Sequence, residues 1–149
     1  MDDFIEVPAI IYINKKTYQI EKIECIPQSN KINKKGFSKA ENFIWDWLNI
    51  HNITFEFQKR FSDCKDKNTL PFDFYIPSLN LCIEYQGIQH YDPGFYIRKK
   101  KSQEEGMEKY LLQKKHDLMK KQYCENKNIN FLEIKYTENI EDKLKEALL

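Results

Sequence analysis

The sequence predicts an α/β sandwich: a helix, a three-strand antiparallel meander, a second helix, a fourth strand and a closing helix, with a β-hairpin extension ahead of them. Three observations carry this reading. Apolar residues fill 41% of 149 positions and aromatics 14%, enough to close one core in a chain of single-domain size. Strand-like runs alternate with segments of helical spacing instead of grouping at one end, the pattern of layered α/β folds. With only 4 Gly and 5 Pro, and with 10 Phe, 9 Tyr and 2 Trp, the chain is neither low-complexity nor disordered.

Residues 9–13 and 18–23 are β-rich and separated by Asn14-Lys15-Lys16-Thr17, which predicts a hairpin. Residues 28–36 are polar, Lys/Asn-rich and aperiodic, so they read as a linker. The chain therefore divides into residues 1–36, hairpin and linker, and residues 37–149, the main domain. Ser38 with Glu41 three residues later is a capping-box pattern, and Phe43, Ile44, Trp47 and Leu48 then trace one apolar helix face. On that spacing both tryptophans cannot face the core: Trp47 fits the apolar face, and Trp45 is left to cover a second surface or contact a partner.

Residues 53–57 alternate as a strand that 58–61 can extend, residues 62–69 read as a polar loop, and residues 70–76 form the next strand, ended by Pro77-Ser78-Leu79-Asn80. Residues 81–85 are nearly all apolar, as a central strand is. A loop containing Gly87, Pro93 and Gly94 leads to a long helix over 103–127, with Leu112, His116, Met119 and Tyr123 along one side. There His116 reads as a partly buried packing residue. A fourth strand is predicted at 130–136, and an amphipathic helix at 137–149 carries Ile140, Leu144 and Leu148.

The net charge of +1 excludes a strongly basic coating protein. Its distribution is uneven: residues 31–40 carry 4 Lys and no acid, residues 41–95 carry 4 basic and 8 acidic groups, and residues 96–121 carry 9 basic and 4 acidic. An acidic middle between basic flanks suits a metal-holding cluster beside a polyanion. It equally suits solvated helix faces in a Lys-rich chain. The cysteines at 25, 64, 82 and 124 form no C-x-x-C pair, which argues against a zinc knuckle, and Cys82 reads as a small core residue. The opening MDDFIEVPAI has neither a basic nor an apolar leader region, and no apolar run approaches the ~20 residues of a membrane span. A cytoplasmic protein with reduced thiols is expected, with no membrane partner.

Asp73 stands between Phe72 and Phe74 in one predicted strand, and Glu84 between Ile83 and Tyr85 in the next. Burying such acids is costly unless a cation or hydrogen bonds compensate. A short connection between the strands can place both carboxylates at one end of the sheet, where they would supply hard oxygen ligands for Mg²⁺. The alternative is that each acid faces solvent from an edge strand.

The segments FDFYIPSLNLCIEYQGIQHYD, KKHDLMKKQYC and NINFLEIKY together resemble the PD-(D/E)XK, or restriction-endonuclease-like, nuclease superfamily. Within it they are similar to the branch of very-short-patch repair endonucleases and related phage and giant-virus nucleases. The resemblance covers roughly Ser38 to Tyr136. It implies a restriction-endonuclease-like core and Mg²⁺-dependent hydrolysis of DNA phosphodiester bonds, with Mn²⁺ as a substitute metal. The metal set it implies is Asp73, Glu84, the Tyr85 carbonyl and Glu41, whose local role is helix capping. The position two residues after the strand acid, often Lys in the family, is Gln86 here. His90 matches the loop histidine, and Asp117, Lys120, Tyr123 and Cys124 match a D-x-x-K-x-x-Y-C motif. His90 or Lys120 would supply the charge that Gln86 lacks.

Arg98, Lys99, Lys100, Lys101, Lys34, Lys35 and Tyr91 are the expected nucleic-acid contacts, the lysines through phosphates and Tyr91, with Phe95 and Tyr96, through stacking. A core this small leaves little room for a recognition domain, so specificity is expected from a homodimer or a partner protein. The runner-up function is a catalytically inactive nucleic-acid-binding module on the same fold. A structural subunit would explain the charged surface but not the carboxylate pattern.

Overall fold

The computed structural model describes residues 9–25 and 36–149. Most of the predicted linker, with Lys34 and Lys35, lies outside the described residues. The chain divides into two compact units, residues 1–53 and 54–149.

In the first unit, β1 (Ala9–Ile13) pairs antiparallel with β2 (Ile20–Cys25), the predicted hairpin with its second strand begun later. Asn14 builds the turn: its side-chain oxygen accepts from the Lys16 N–H at 2.8 Å and the Thr17 N–H at 3.1 Å. The helix α1 (Lys39–Ile50) starts on the predicted capping box. Ser38 Oγ accepts from the Glu41 N–H at 3.1 Å, and the Glu41 carboxylate accepts from the Ser38 N–H at 2.7 Å. Trp45 and Trp47 are both buried, so the helix buries a second stripe besides the apolar face that carries Trp47. Asn49 is buried as well, and its amide nitrogen donates to the Trp45 carbonyl at 2.9 Å, so this polar group costs little inside.

In the second unit, a four-stranded sheet has the order β3-β4-β5-β6. The strands β3 (Glu56–Lys65), β4 (Thr69–Ile76) and β5 (Leu81–Gln86) form the antiparallel meander, and β6 (Asn130–Lys135) lies parallel to β5. Between β5 and β6 come a short helix α2 (Pro93–Ile97) and the long α3 (Gln103–Asn126); α4 (Ile140–Leu148) closes the chain. The architecture is α/β with a mixed sheet, and β5 is interior as its apolar run predicts. The strand β3 runs through residues 62–65, which read as loop in the sequence. It is an edge strand, so its polar residues face solvent while Cys64 alone among those four turns inward. Gly106 lets α3 approach α2 closely: a Cβ there would stand 2.5 Å from the Ile97 Cα.

One break in the sheet matters for function. Phe72 and Phe74 are two apart in β4 and by strand alternation would share a face. Instead Phe72 packs on Phe61 at 5.5 Å and Tyr123 at 6.3 Å, on the α3 side, whereas Phe74 packs on Phe55 and Phe57 at 5.6 and 5.2 Å. Tyr75, next to Phe74, rejoins the cluster of Phe72, Cys82 and Cys124. The strand therefore changes face at Asp73. In β3, between the registered pairs Phe57↔Phe74 and Lys59↔Phe72, Gln58 takes a left-handed conformation with φ 52°.

Candidate active site

The β4–β5 ladder runs Ile76↔Leu81, Tyr75↔Cys82 and Phe74↔Ile83 and then stops. The next pair would be Asp73 and Glu84, and there side chains replace the ladder. The Asp73 N–H donates to Glu84 Oε1 at 2.9 Å, and the Tyr85 N–H donates to Asp73 Oδ2 at 2.8 Å. This exchange satisfies two backbone donors that the forking strands would orphan. It also brings both carboxylates into the mouth of the fork. Beyond it β5 stays ordered because Glu84, Tyr85 and Gln86 continue to pair with β6.

The helix α3 supplies the counter-charge. Lys120 Nζ lies 2.6 Å from Glu84 Oε2 and donates to the Pro71 carbonyl at 3.2 Å, with Lys120 7% and Glu84 2% exposed. The lysine is thus buried against Glu84, and is not a surface partner of Asp117. Burial, and then the neighbouring Asp73, push the Glu84 carboxyl up to about 8, against the pull of Lys120. Burial alone would lower Lys120, but Glu84 and then Asp73 more than offset it and hold the ammonium above the ordinary lysine value. The two shifts pull apart: a carboxyl protonated at neutral pH would not hold its lysine up. The ammonium is the more secure charge, because two acids and a carbonyl surround it.

His90 ends the 3-10 turn Ile88–His90 that follows β5 and is buried. Its Nδ1 lies 2.7 Å from Asp117 Oδ2 and donates to it, since a carboxylate only accepts. Asp117 Oδ1 accepts from Gln113 Nε2 at 2.8 Å, which fixes the carboxylate from its other side. Asp117 and Lys120 are three apart on α3 and share a face, so one helical turn carries the partner of His90 and the partner of Glu84. The rest of the motif is structural. Tyr123 OH donates to Asp63 Oδ1 at 2.7 Å, and Cys124 packs in the core beside Cys82.

Gln86 is 3% exposed and, two residues after Glu84, lies on the same side of β5. Glu41 belongs to the first compact unit, where its carboxylate closes the capping box. Arg98 pairs with Asp92 at 3.2 Å beside α2, and Lys99 Nζ sits 3.9 Å from the Phe95 ring centroid. Lys100 and Lys101 are exposed, and Tyr91 is exposed too, with Lys114 Nζ 4.8 Å from its ring centroid. The structure thus brings Asp73, Glu84, Tyr85 and Lys120 directly together and links His90 to the same face of α3. The basic residues after α2 make no contact with this group among the described residues. Gln113 was not expected; its signal was the i, i+4, i+7 spacing of Gln113, Asp117 and Lys120. His116 is half-buried, with Nε2 3.0 Å from Asp66 Oδ2.

Among the described residues, no three His, Cys, Asp or Glu side chains converge as a metal cage. The fork instead offers two carboxylates, those of Asp73 and Glu84. Those hard oxygens fit Mg²⁺, which is held by one or two carboxylates and completes its shell with water and substrate phosphates. They do not fit a thiolate-preferring metal. No helix among the described residues is long and apolar enough to cross a membrane.

Comparison with known proteins returns no matching family model and no matching solved structure. Over 70 residues the chain is 34% identical to uncharacterized protein 307L of Invertebrate iridescent virus 6, covering 46% of this chain and 32% of that relative. The chain spans about a third of the length of the curated relative it matches.

Proposed function

We infer that this chain is a metal-dependent endonuclease hydrolysing DNA phosphodiester bonds on a restriction-endonuclease-like core. The fork carries the reading: two buried-strand acids exchange hydrogen bonds across it, and a buried lysine is aimed at one of them. The order helix, meander, helix, strand, helix and the parallel fourth strand support the fold assignment.

Asp73, Glu84 and the Tyr85 carbonyl would hold the cation. Mg²⁺ or Mn²⁺ bound there supplies polarisation of the phosphate and a water of lowered pKa. Lys120 presents a fixed positive charge at the fork, the service a lysine at position 86 would otherwise perform. It is held in place by Glu84 and the Pro71 carbonyl, so little reorganisation is needed as charge develops on the phosphate. His90 has Nδ1 committed to Asp117, which leaves Nε2 to take a proton from water or give one to the leaving oxygen. The Gln86 amide orients water without adding charge. Arg98 and Lys99 to Lys101 attract the DNA backbone, and specificity comes from a second copy or a partner protein.

One observation favours a second reading, an inactive nucleic-acid-binding module: both Glu84 oxygens are already hydrogen-bonded inside the protein. A plasmid-nicking assay separates the two. Nicking in Mg²⁺ or Mn²⁺ that EDTA removes supports the endonuclease. DNA binding without nicking selects the second reading, and neither activity leaves a structural role.

A further inference from the structure

A cavity of about 390 Å³ opens at the β3–β4 hairpin, between Arg60, Lys67 and His116 on its polar side and Leu70, Pro71 and Leu112 on its apolar side. The geometry points to this cavity as a subsite for one nucleotide unit, a phosphate with its sugar and base, beside the fork; its placement on a substrate strand rests on the nuclease reading.

Charge is the first argument. Asp66 is the single acid of the lining, and both its oxygens are engaged: Oδ1 by Lys115 Nζ at 2.9 Å and Oδ2 by His116 Nε2 at 3.0 Å. These partners, Lys115 first, hold its carboxyl below the usual range, so it stays an ionised anchor already engaged by its own neighbours. Arg60 and Lys67 have no carboxylate partner among the described residues, which leaves the cavity with surplus positive charge. The Arg60 guanidinium is also oriented, since it donates to the Thr69 carbonyl and, at 3.2 Å, to Thr69 Oγ1. A guanidinium fixed by two bonds still has donors for a phosphate oxygen.

Shape is the second argument. The volume falls within the range of small-molecule sites, about 300–1,000 Å³, and exceeds what a lone phosphate needs. Leu112, 40% exposed on α3, with Leu70 and Pro71 forms a wall that serves a sugar and base rather than an ion. Connection is the third. Pro71 lines the cavity, and its carbonyl accepts from the Lys120 that pairs with Glu84. Pro71 therefore belongs both to the cavity wall and to the surroundings of Lys120, the link on which placing a flanking nucleotide here rests.

The test reads binding without cleavage, on the full chain in EDTA, with labelled hexathymidylate and with dTMP as probes. The combined substitution Arg60→Gln and Lys67→Gln should weaken hexathymidylate binding about tenfold or more and reduce the salt slope by about 0.7 for each phosphate no longer neutralised. Leu112→Glu, at an exposed position, should weaken it comparably, and Lys67→Gln alone provides a variant with no native side-chain bond to lose. Thermal melting checks that each variant is folded. Displacement of the oligonucleotide by dTMP at similar concentration assigns the subsite to free nucleotide; failure of dTMP to compete assigns it to a strand. Wild-type affinity and salt slope in all the folded variants would overturn the subsite. Nicking by the native chain together with that result sinks the subsite alone. Variant-sensitive binding without any nicking keeps the subsite and sinks the nuclease reading.

Discussion

Replacing Lys120 by Met separates its charge from its packing. The Met side chain keeps an apolar stem near Phe72, whose ring centroid lies 5.7 Å from the ammonium, so little packing is lost. What disappears is the 2.6 Å pairing with Glu84 and the 3.2 Å bond to Pro71. Breaking a buried pair from one side ordinarily costs about 3–5 kcal/mol, because a buried charge is left alone. Here the cost is limited, since Glu84 already sits high, at about 8, and without the lysine it takes up a proton instead of standing as a bare anion. In the native protein Glu84 binds a proton more tightly folded than unfolded. Between about 4.5 and about 8 its contribution to stability therefore falls as pH rises, and the Lys120 ammonium opposes that loss. Lys120→Met should melt slightly below the native chain at pH 6 and well below it at pH 9. Its nicking rate should drop at least about a hundredfold, as expected for loss of a preorganised charge worth about 2–4 kcal/mol in the transition state. Nicking kinetics and melting curves at both pH values provide the assay. Near-native nicking with an unchanged melting temperature at pH 9 would refute both the pairing and its catalytic role, leaving His90 as the charge-supplying group.

Asp73→Asn keeps an oxygen for the Tyr85 N–H and removes repulsion with Glu84, so nicking should vanish while the melting temperature holds or rises; a collapsed fold would show that the charge, not the hydrogen bond, builds the fork. Because Glu84 is raised toward 8, Mg²⁺ uptake should release protons and tighten from pH 6 to pH 8; calorimetry in buffers of different ionisation heat that detects no proton release would contradict the raised Glu84 carboxyl. Asp117→Asn should lower turnover, by weakening the 2.7 Å contact that orients the His90 ring; native turnover in the folded variant would make the pair structural. Gln86→Ala should slow nicking, whereas Gln86→Lys should retain or raise it, and native rates in the Ala variant would remove Gln86 from the mechanism.

Much of the fold is legible because its signals are local. The capping box at Ser38 and Glu41, the apolar run of β5 and the turn at Pro77 each depend on neighbours in sequence. The lengthening of β3 through residues 62–65 was not legible, since an edge strand exposes polar residues that look like loop. Burial of the polar Asn49 is satisfied by a bond to the Trp45 carbonyl that no hydrophobic pattern records. At the site, Asp73 and Glu84 stand out as acids inside strands, and the i, i+3 spacing of Asp117 and Lys120 indicates a shared helix face. The face change at Asp73 is invisible in FDFYI, which alternates as any unbroken strand would. It becomes apparent only with Gln58 at φ 52° and the carboxylate exchange across the fork. His90 and Asp117 are 27 residues apart, and only the folded loop joins them.

The most direct test of the central claim is supercoiled-plasmid nicking by the native chain and by Asp73→Asn, side by side in Mg²⁺ and in EDTA. The fork, read as a metal-dependent hydrolytic centre, requires nicking by the native chain in Mg²⁺ alone and none by Asp73→Asn. Equal nicking by both proteins, or nicking that survives EDTA, would contradict it.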